Sequence, residues 1–161
     1  MKRILLTLMI FLIPLGFVGT TATDAEAGLG LGVHYLNTLG DIKDHPDFDS
    51  SNWGLLAAYS FGPGLINFEV DVEWIPDYAA GKNMVEPSAY VFVGSFIYGG
   101  VGIGIGHING DWQSDPFYAL RAGVKLAFLD IFASYRFQKW SDVSADSDDL
   151  NSITFGAMFK F

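Results

Sequence analysis

Residues 66–74, Ile66-Asn67-Phe68-Glu69-Val70-Asp71-Val72-Glu73-Trp74, alternate apolar and polar without a break. A helix would scatter Glu69, Asp71 and Glu73 around its circumference; a strand puts all three on one side and Phe68, Val70, Val72 and Trp74 on the other. This stretch is therefore a strand with one apolar and one acidic face.

Seven more segments alternate in the same way. The first is GLGLGVHYL, from Gly28. The second, NWGLLAAYSF, ends at the turn Gly62-Pro63-Gly64. The fourth runs from about Ser88 to Tyr98, and the fifth, VGIGIGH, follows Gly99-Gly100. The sixth is FYALRAGVKLAF; a turn near Leu129-Asp130 leads to the seventh, IFASYRFQKWS, and the last is SITFGAMFKF. Most approach the length of about 9–11 residues that a tilted transmembrane strand needs.

The connections have a side. Segments two–three, four–five and six–seven are joined by a few residues, the others by longer, mostly Asp-rich loops. Short turns on one rim and long polar loops on the other are expected of an outer-membrane barrel with both termini in the periplasm. The expectation is an all-β, eight-stranded, antiparallel up-and-down transmembrane barrel. A strand crossing lipid must satisfy its backbone within the protein, so the sheet has to close.

Composition fits this reading. The chain is 50% apolar and only 17% charged, with 19 glycines, no cysteine and a net charge of −9. No cysteine means no disulfide scaffold and no thiolate site. The acidic balance excludes nucleic acid as a partner. Met1-Lys2-Arg3, an uncharged run from Ile4 to Val18 and the small-residue site Ala25-Glu26-Ala27 form a secretory signal peptide over residues 1–27, leaving 28–161 as the barrel. The expected location is the outer membrane of a Gram-negative envelope.

The faces suggest what the interior does. Charges within the strands are Glu69, Asp71 and Glu73 against Arg121, Lys125, Arg136 and Lys160, all on the non-aromatic face. Buried charges must be paired, so these seven form an expected interior ion-pair network. Tyr35, Trp53, Tyr59, Phe61, Trp74, Tyr118 and Tyr135 would supply interfacial girdles. Eight strands enclose a lumen that side chains fill, which favours a closed interior; the alternative is a narrow channel lined by Glu69, Asp71, Glu73 and Arg136. Glycines 28, 30, 32, 102, 104 and 106 leave room for long side chains opposite them. They are not a phosphate loop, since no helix follows. No cofactor or metal motif is present.

The signal peptide, the eight amphipathic segments and the terminal Phe161 resemble the small outer-membrane barrels of the OmpA/OmpX type. The resemblance implies that Phe161 is the signal read by the outer-membrane assembly machinery, and that outer-membrane lipid and lipopolysaccharide surround a monomer. Residues 135–144, YRFQKWSDVS, resemble the penultimate strand of the PagL-type lipid A deacylases, which use a serine activated by a histidine two residues earlier and an acid further along. Ser141 falls on the nucleophile position and on the lipid-facing side. Lys139 stands at the histidine position and Ile153 at the acid position. A serine without a nearby base is a poor nucleophile, and neither His34 nor His107 is local to it. The expectation is a non-enzymatic barrel with a structural or surface-interaction role, with an esterase centred on Ser141 as the alternative.

The loops carry Asp41, Asp44, Asp47 and Asp49 with Lys43 and His45; Asp77 and Glu86 with Lys82; Asp111 and Asp115; and Asp142, Asp146, Asp148 and Asp149. Their spacing does not match a calcium loop. Solvated, mutually repelling surface loops are the expectation, with divalent-cation binding or adhesion to a partner as the alternative.

Overall fold

The computed structural model describes residues 27–39, 50–79, 81–140, 148–149 and 151–161. Residues 1–26, with nearly all of the expected signal peptide, lie outside them. So do Asp41 to Asp49, Ser141, Asp142 and Asp146.

Eight strands make the wall: β1 (Gly28–Leu39), β2 (Ser51–Phe61), β3 (Ile66–Ala79), β4 (Lys82–Gly94), β5 (Ile97–Gly104), β8 (Phe117–Leu126), β9 (Leu129–Phe137) and β12 (Asn151–Lys160). Two small ladders accompany them, β6 (His107–Ile108) with β7 (Asp111–Trp112) and β10 (Lys139–Trp140) with β11 (Asp148–Asp149). Around the wall the order is β3-β2-β1-β12-β9-β8-β5-β4, and β4 pairs back to β3, so the sheet closes. First and last strands meet from Gly30 opposite Lys160 to Leu39 opposite Asn151. The fold is an all-β, closed, eight-stranded antiparallel barrel.

Alternation runs outward–inward as the segments implied. On β2, Trp53, Leu55 and Ala57 point out while Asn52, Leu56, Ala58 and Ser60 are buried. The outer wall exposes Leu31, Val33, Phe68, Val91, Val101, Leu120 and Phe155. A water-soluble protein would bury such residues; a lipid-facing belt requires them outside.

Three boundaries differ from the sequence reading. The turn between β4 and β5 is at Gly94–Phe96, not Gly99-Gly100. Gly94 has the positive φ, 122°, whereas Gly99 and Gly100 lie within β5, opposite Val93 and Phe92. The turn between β8 and β9 is at Ala127–Phe128, with Ala127 at φ 52°. Asp130 is therefore a buried, inward residue of β9 rather than part of a turn.

The largest difference is at β3 and β4. No long loop joins them: β3 continues past Trp74 to Ala79 and β4 begins at Lys82, with Ala79 opposite Lys82. Gly81, at φ 70°, makes the turn. An irregular register between Ile75 and Ala79 accommodates Pro76, which has no N–H for a ladder. The Asp77 N–H donates to Asn83 Oδ1 at 3.2 Å. Glu86 is consequently no loop residue. It sits on the inward face of β4 between Met84 and Ser88, and is fully buried.

The inward face also carries aromatic rings, which the sequence reading had assigned to the outside alone. Tyr90, Phe92, Tyr98, Phe117 and Phe132 are buried. Each sits directly across from a glycine on the next strand: Tyr90 from Gly102, Phe92 from Gly100, Phe117 from Gly104, Tyr98 from Gly123 and Phe132 from Gly156. A Cβ on any of those glycines would run into the ring. The glycine excess thus gives flat inward surface on which large side chains lie.

Candidate functional site

The inward positions of β3 fall every second residue, so Glu69, Asp71 and Glu73 climb the wall in steps of roughly 7 Å. Arg121 reaches them from β8. Its Nη1 lies 3.1 Å from Glu69 Oε1 and 2.7 Å from Asp71 Oδ2, and its Nη2 lies 3.5 Å from Glu73 Oε1. The guanidinium rests 3.9 Å from the Tyr90 ring centroid and 4.6 Å from that of Phe132, where the ring faces attract its charge. One cation is thus held by three carboxylates and sandwiched by aromatics.

Arg136, from β9, makes the next tier. Its two terminal nitrogens pair with Glu73 and Glu86, and its guanidinium centre is 4.7 Å from the Phe117 centroid. His34 Nε2, on β1, stands 3.4 Å from Glu73 Oε2. Toward the short-turn end, Lys160 Nζ lies 2.7 Å from Glu69 Oε2 and 3.2 Å from Asp130 Oδ2. Ser60 Oγ donates to Glu69 at 2.6 Å, and Tyr98 OH donates to Asp130 at 2.7 Å. Lys125, half-buried, holds its Nζ 5.3 Å from the Tyr98 ring centroid.

Of the seven residues singled out in the sequence, Glu69, Asp71, Glu73, Arg121, Arg136 and Lys160 are joined by ion pairs, and Lys125 meets the same network at the Tyr98 ring. Glu86, Asp130, Tyr98, Ser60 and His34 belong to the network and were missed as members. For Glu86 the unbroken alternation from Met84 to Phe92 was a legible signal, masked by the adjacent Pro87. Adding Glu86 and Asp130 gives five interior carboxylates against Arg121, Arg136, Lys125 and Lys160.

Apolar groups close the network on both sides. Leu36, Ile75, Tyr78 and Met84 pack together toward the long-loop end, with Ala79 and Ile108 against them. Leu56, Ala58, Phe92, Phe132 and Met158 fill the space around Arg121 toward the short turns. Beyond the upper cluster, Gln138 Nε2 donates to Gln113 Oε1 at 3.0 Å and to the Asp115 carbonyl at 3.1 Å. Ile75, in the upper apolar cluster, and Asp71, in the charged tier below it, are both wholly buried.

The rim resemblance is placed only in part. Lys139 lies opposite Asp149 in the β10–β11 ladder, Ile153 lies on β12 opposite Tyr135, and Ser141 is outside the described residues. Phe161 closes the chain at the short-turn end, exchanging backbone hydrogen bonds of 2.9 Å with Leu29. His107 stacks edge-on against Trp112, ring centroids 4.9 Å apart. Trp53 and Trp74 meet edge to face at 6.1 Å on the outer wall. A shallow apolar groove of about 650 Å³ lies on that wall, between Phe68 and Tyr118 and floored by Ala89 and Val101.

No family model matches the sequence, and no curated protein does. Solved structures do resemble the fold. Neisserial surface protein A (NspA) superposes with a TM-score of 0.59 at 15% identity, covering 86% of this chain and 100% of that one. Ail, the attachment invasion locus protein of Yersinia pestis, solved with the heparin analogue sucrose octasulfate, gives 0.44 at 14% identity, covering 86% and 100%. The outer membrane channel DcaP of Acinetobacter baumannii gives 0.37 at 11% identity, covering 88% of this chain and 55% of that one. The chain has the fold of the small eight-stranded outer-membrane barrels.

Proposed function

We propose that residues 28–161 form an outer-membrane barrel without enzymatic activity, exported by the signal peptide over residues 1–27, whose closed polar interior is structural and whose contacts with the surroundings are made at its surface. The observation that carries this reading is the interior itself. Arg121 and Arg136 clamp four carboxylates between two apolar clusters, and every one of these groups is buried. An arrangement of this kind stiffens a barrel; it holds nothing in readiness for a substrate. The long-loop end, with exposed Asp77, Lys82 and Asp111, would face outward, toward lipopolysaccharide and the medium. The short-turn end would face the periplasm.

Two measurements test it. Membrane fractionation should place the protein in the outer membrane, with a folded form whose gel mobility changes on boiling; a soluble periplasmic species overturns the reading. Lipid A from cells expressing the wild type and Ser141→Ala should have the same mass. Loss of an acyl chain that depends on Ser141 would instead make the protein an esterase.

A further inference from the structure

Turns that stand in water are normally polar, because nothing covers them. The turns at the short-turn end are the reverse. Each corner of the barrel there carries a large apolar side chain at its tip: Leu65 between β2 and β3, Phe96 between β4 and β5, Phe128 between β8 and β9, and Phe161 after β12. Their exposures are 64%, 57%, 64% and 71%. Leu126, Ile97, Val93 and Phe159 stand exposed beside them, so the apolar surface of the wall runs over the rim with Ser95 as the exposed polar side chain at these tips.

The backbone of these corners is also tied down. The carbonyl of each tip residue accepts a hydrogen bond from the neighbouring strand pair: Leu65 from Gly94 at 2.9 Å, Phe96 from Lys125 at 2.8 Å, Phe128 from Lys160 at 2.8 Å and Phe161 from Leu29 at 2.9 Å. Buried in hydrocarbon, an unpaired carbonyl costs several kcal/mol; here all four tip carbonyls are paired within the protein. Charge points the same way. Among the described residues, the charged side chains of this end that reach the surface are the cations Lys125 and Lys160, while Asp130 is buried. Lipid phosphates attract cations and repel acids. At the opposite end, by contrast, the tips among the described residues are Asn109, Gly110, Asp111, Gly81 and Lys82, all exposed and polar or small.

We infer that the short-turn end is seated in lipid, with Leu65, Phe96, Phe128 and Phe161 at the boundary between headgroups and acyl chains of one leaflet. The barrel then offers that side of the membrane no protruding turns, and everything it presents to water stands at the long-loop end. This rests on the reading of the protein as a membrane barrel. A lipid surface is the occupant because the apolar corners continue the lipid-facing belt all round the rim; a docked protein would leave a one-sided patch.

The described residues include no cysteine, and neither does the rest of the chain, so single cysteines report without background. Phe96→Cys, Phe128→Cys, Val101→Cys in mid-belt and Asp111→Cys at the other end are each folded into nanodiscs of phosphatidylethanolamine and phosphatidylglycerol, which leave both faces open. Folding is checked by the gel shift on boiling, and Leu65→Cys replaces either phenylalanine variant that fails to fold. The probe is a charged, membrane-impermeant maleimide. The expected result is rapid labelling of Asp111→Cys, with labelling of Phe96→Cys and Phe128→Cys many-fold slower and Val101→Cys unlabelled. Rapid labelling of the two rim variants with Val101→Cys still protected would show turns standing in water and overturn the inference alone. Rapid labelling of Val101→Cys as well would overturn the membrane reading beneath it.

Discussion

Arg121 and Lys160 both pair with Glu69, yet their environments differ. Arg121 is fully buried and shared among three carboxylates, whereas Lys160 is partly exposed at the short-turn end. Deleting a wholly buried partner leaves its counter-charges without compensation, at a cost of about 3–5 kcal/mol; at Lys160, which water reaches, solvent takes over part of that compensation. Arg121→Met should therefore lower the midpoint of urea unfolding in micelles far more than Lys160→Met does. The glycines allow a second comparison. A methyl at Gly102 meets the Tyr90 ring, and one at Gly99 meets nothing within 4 Å. Gly102→Ala should cost about 1–3 kcal/mol through forced displacement of the ring. Gly99→Ala should be neutral or slightly stabilising in the same titration. Alternation in 66–74 made the acids of β3 legible as one inward row, because their side of the strand depends only on parity. Which cation each would meet was not legible, since that depends on register between strands distant in sequence. Asp130 was misplaced for a related reason: the turn lies two residues earlier, and only Ala127 with its positive φ shows where.

At the scale of elements, β3 and β4 form the hairpin that the sequence least resembles. Pro76 and Pro87 interrupt the usual look of a strand, and Asp77, Lys82 and Asn83 look like loop. The alternation nonetheless persists through Met84, Glu86 and Ser88, and the prolines sit where the ladder tolerates them. The reverse holds for the small β6–β7 hairpin. Its turn residues Asn109 and Gly110 have φ of 54° and 98°, the conformation that an Asn-Gly pair adopts most readily. It pairs with the wall at Met84 opposite Ile108 and Val85 opposite His107, and Ile108 packs against the upper apolar cluster. Gly110→Val, which puts a branched side chain at positive φ, should unfasten this hairpin. Amide exchange at Asp111 and Trp112 should then accelerate, while the gel shift of the barrel on boiling stays unchanged. If the whole barrel loosened instead, the hairpin would be part of the cooperative unit.

For the molecule as a whole, the opposition between an apolar composition and a net charge of −9 is resolved by direction. Apolar side chains face out along the wall, five carboxylates face in among cations, and the described residues of the long-loop end include the exposed acids Asp77 and Asp111. Closure between β1 and β12 was readable from the need of a lipid-crossing sheet to have no edge. The filling of the interior by rings lying on glycines was not, because either component alone is common in strands. The proposed closed interior, in which Ile75, Met84, Asp71 and Arg136 are all buried, predicts that the barrel conducts nothing. Single-channel recording of the folded protein in planar bilayers tests that most directly. The expected trace is flat for the wild type and for Asp71→Asn alike. Steady openings of the wild type whose conductance changes in Asp71→Asn would contradict the account.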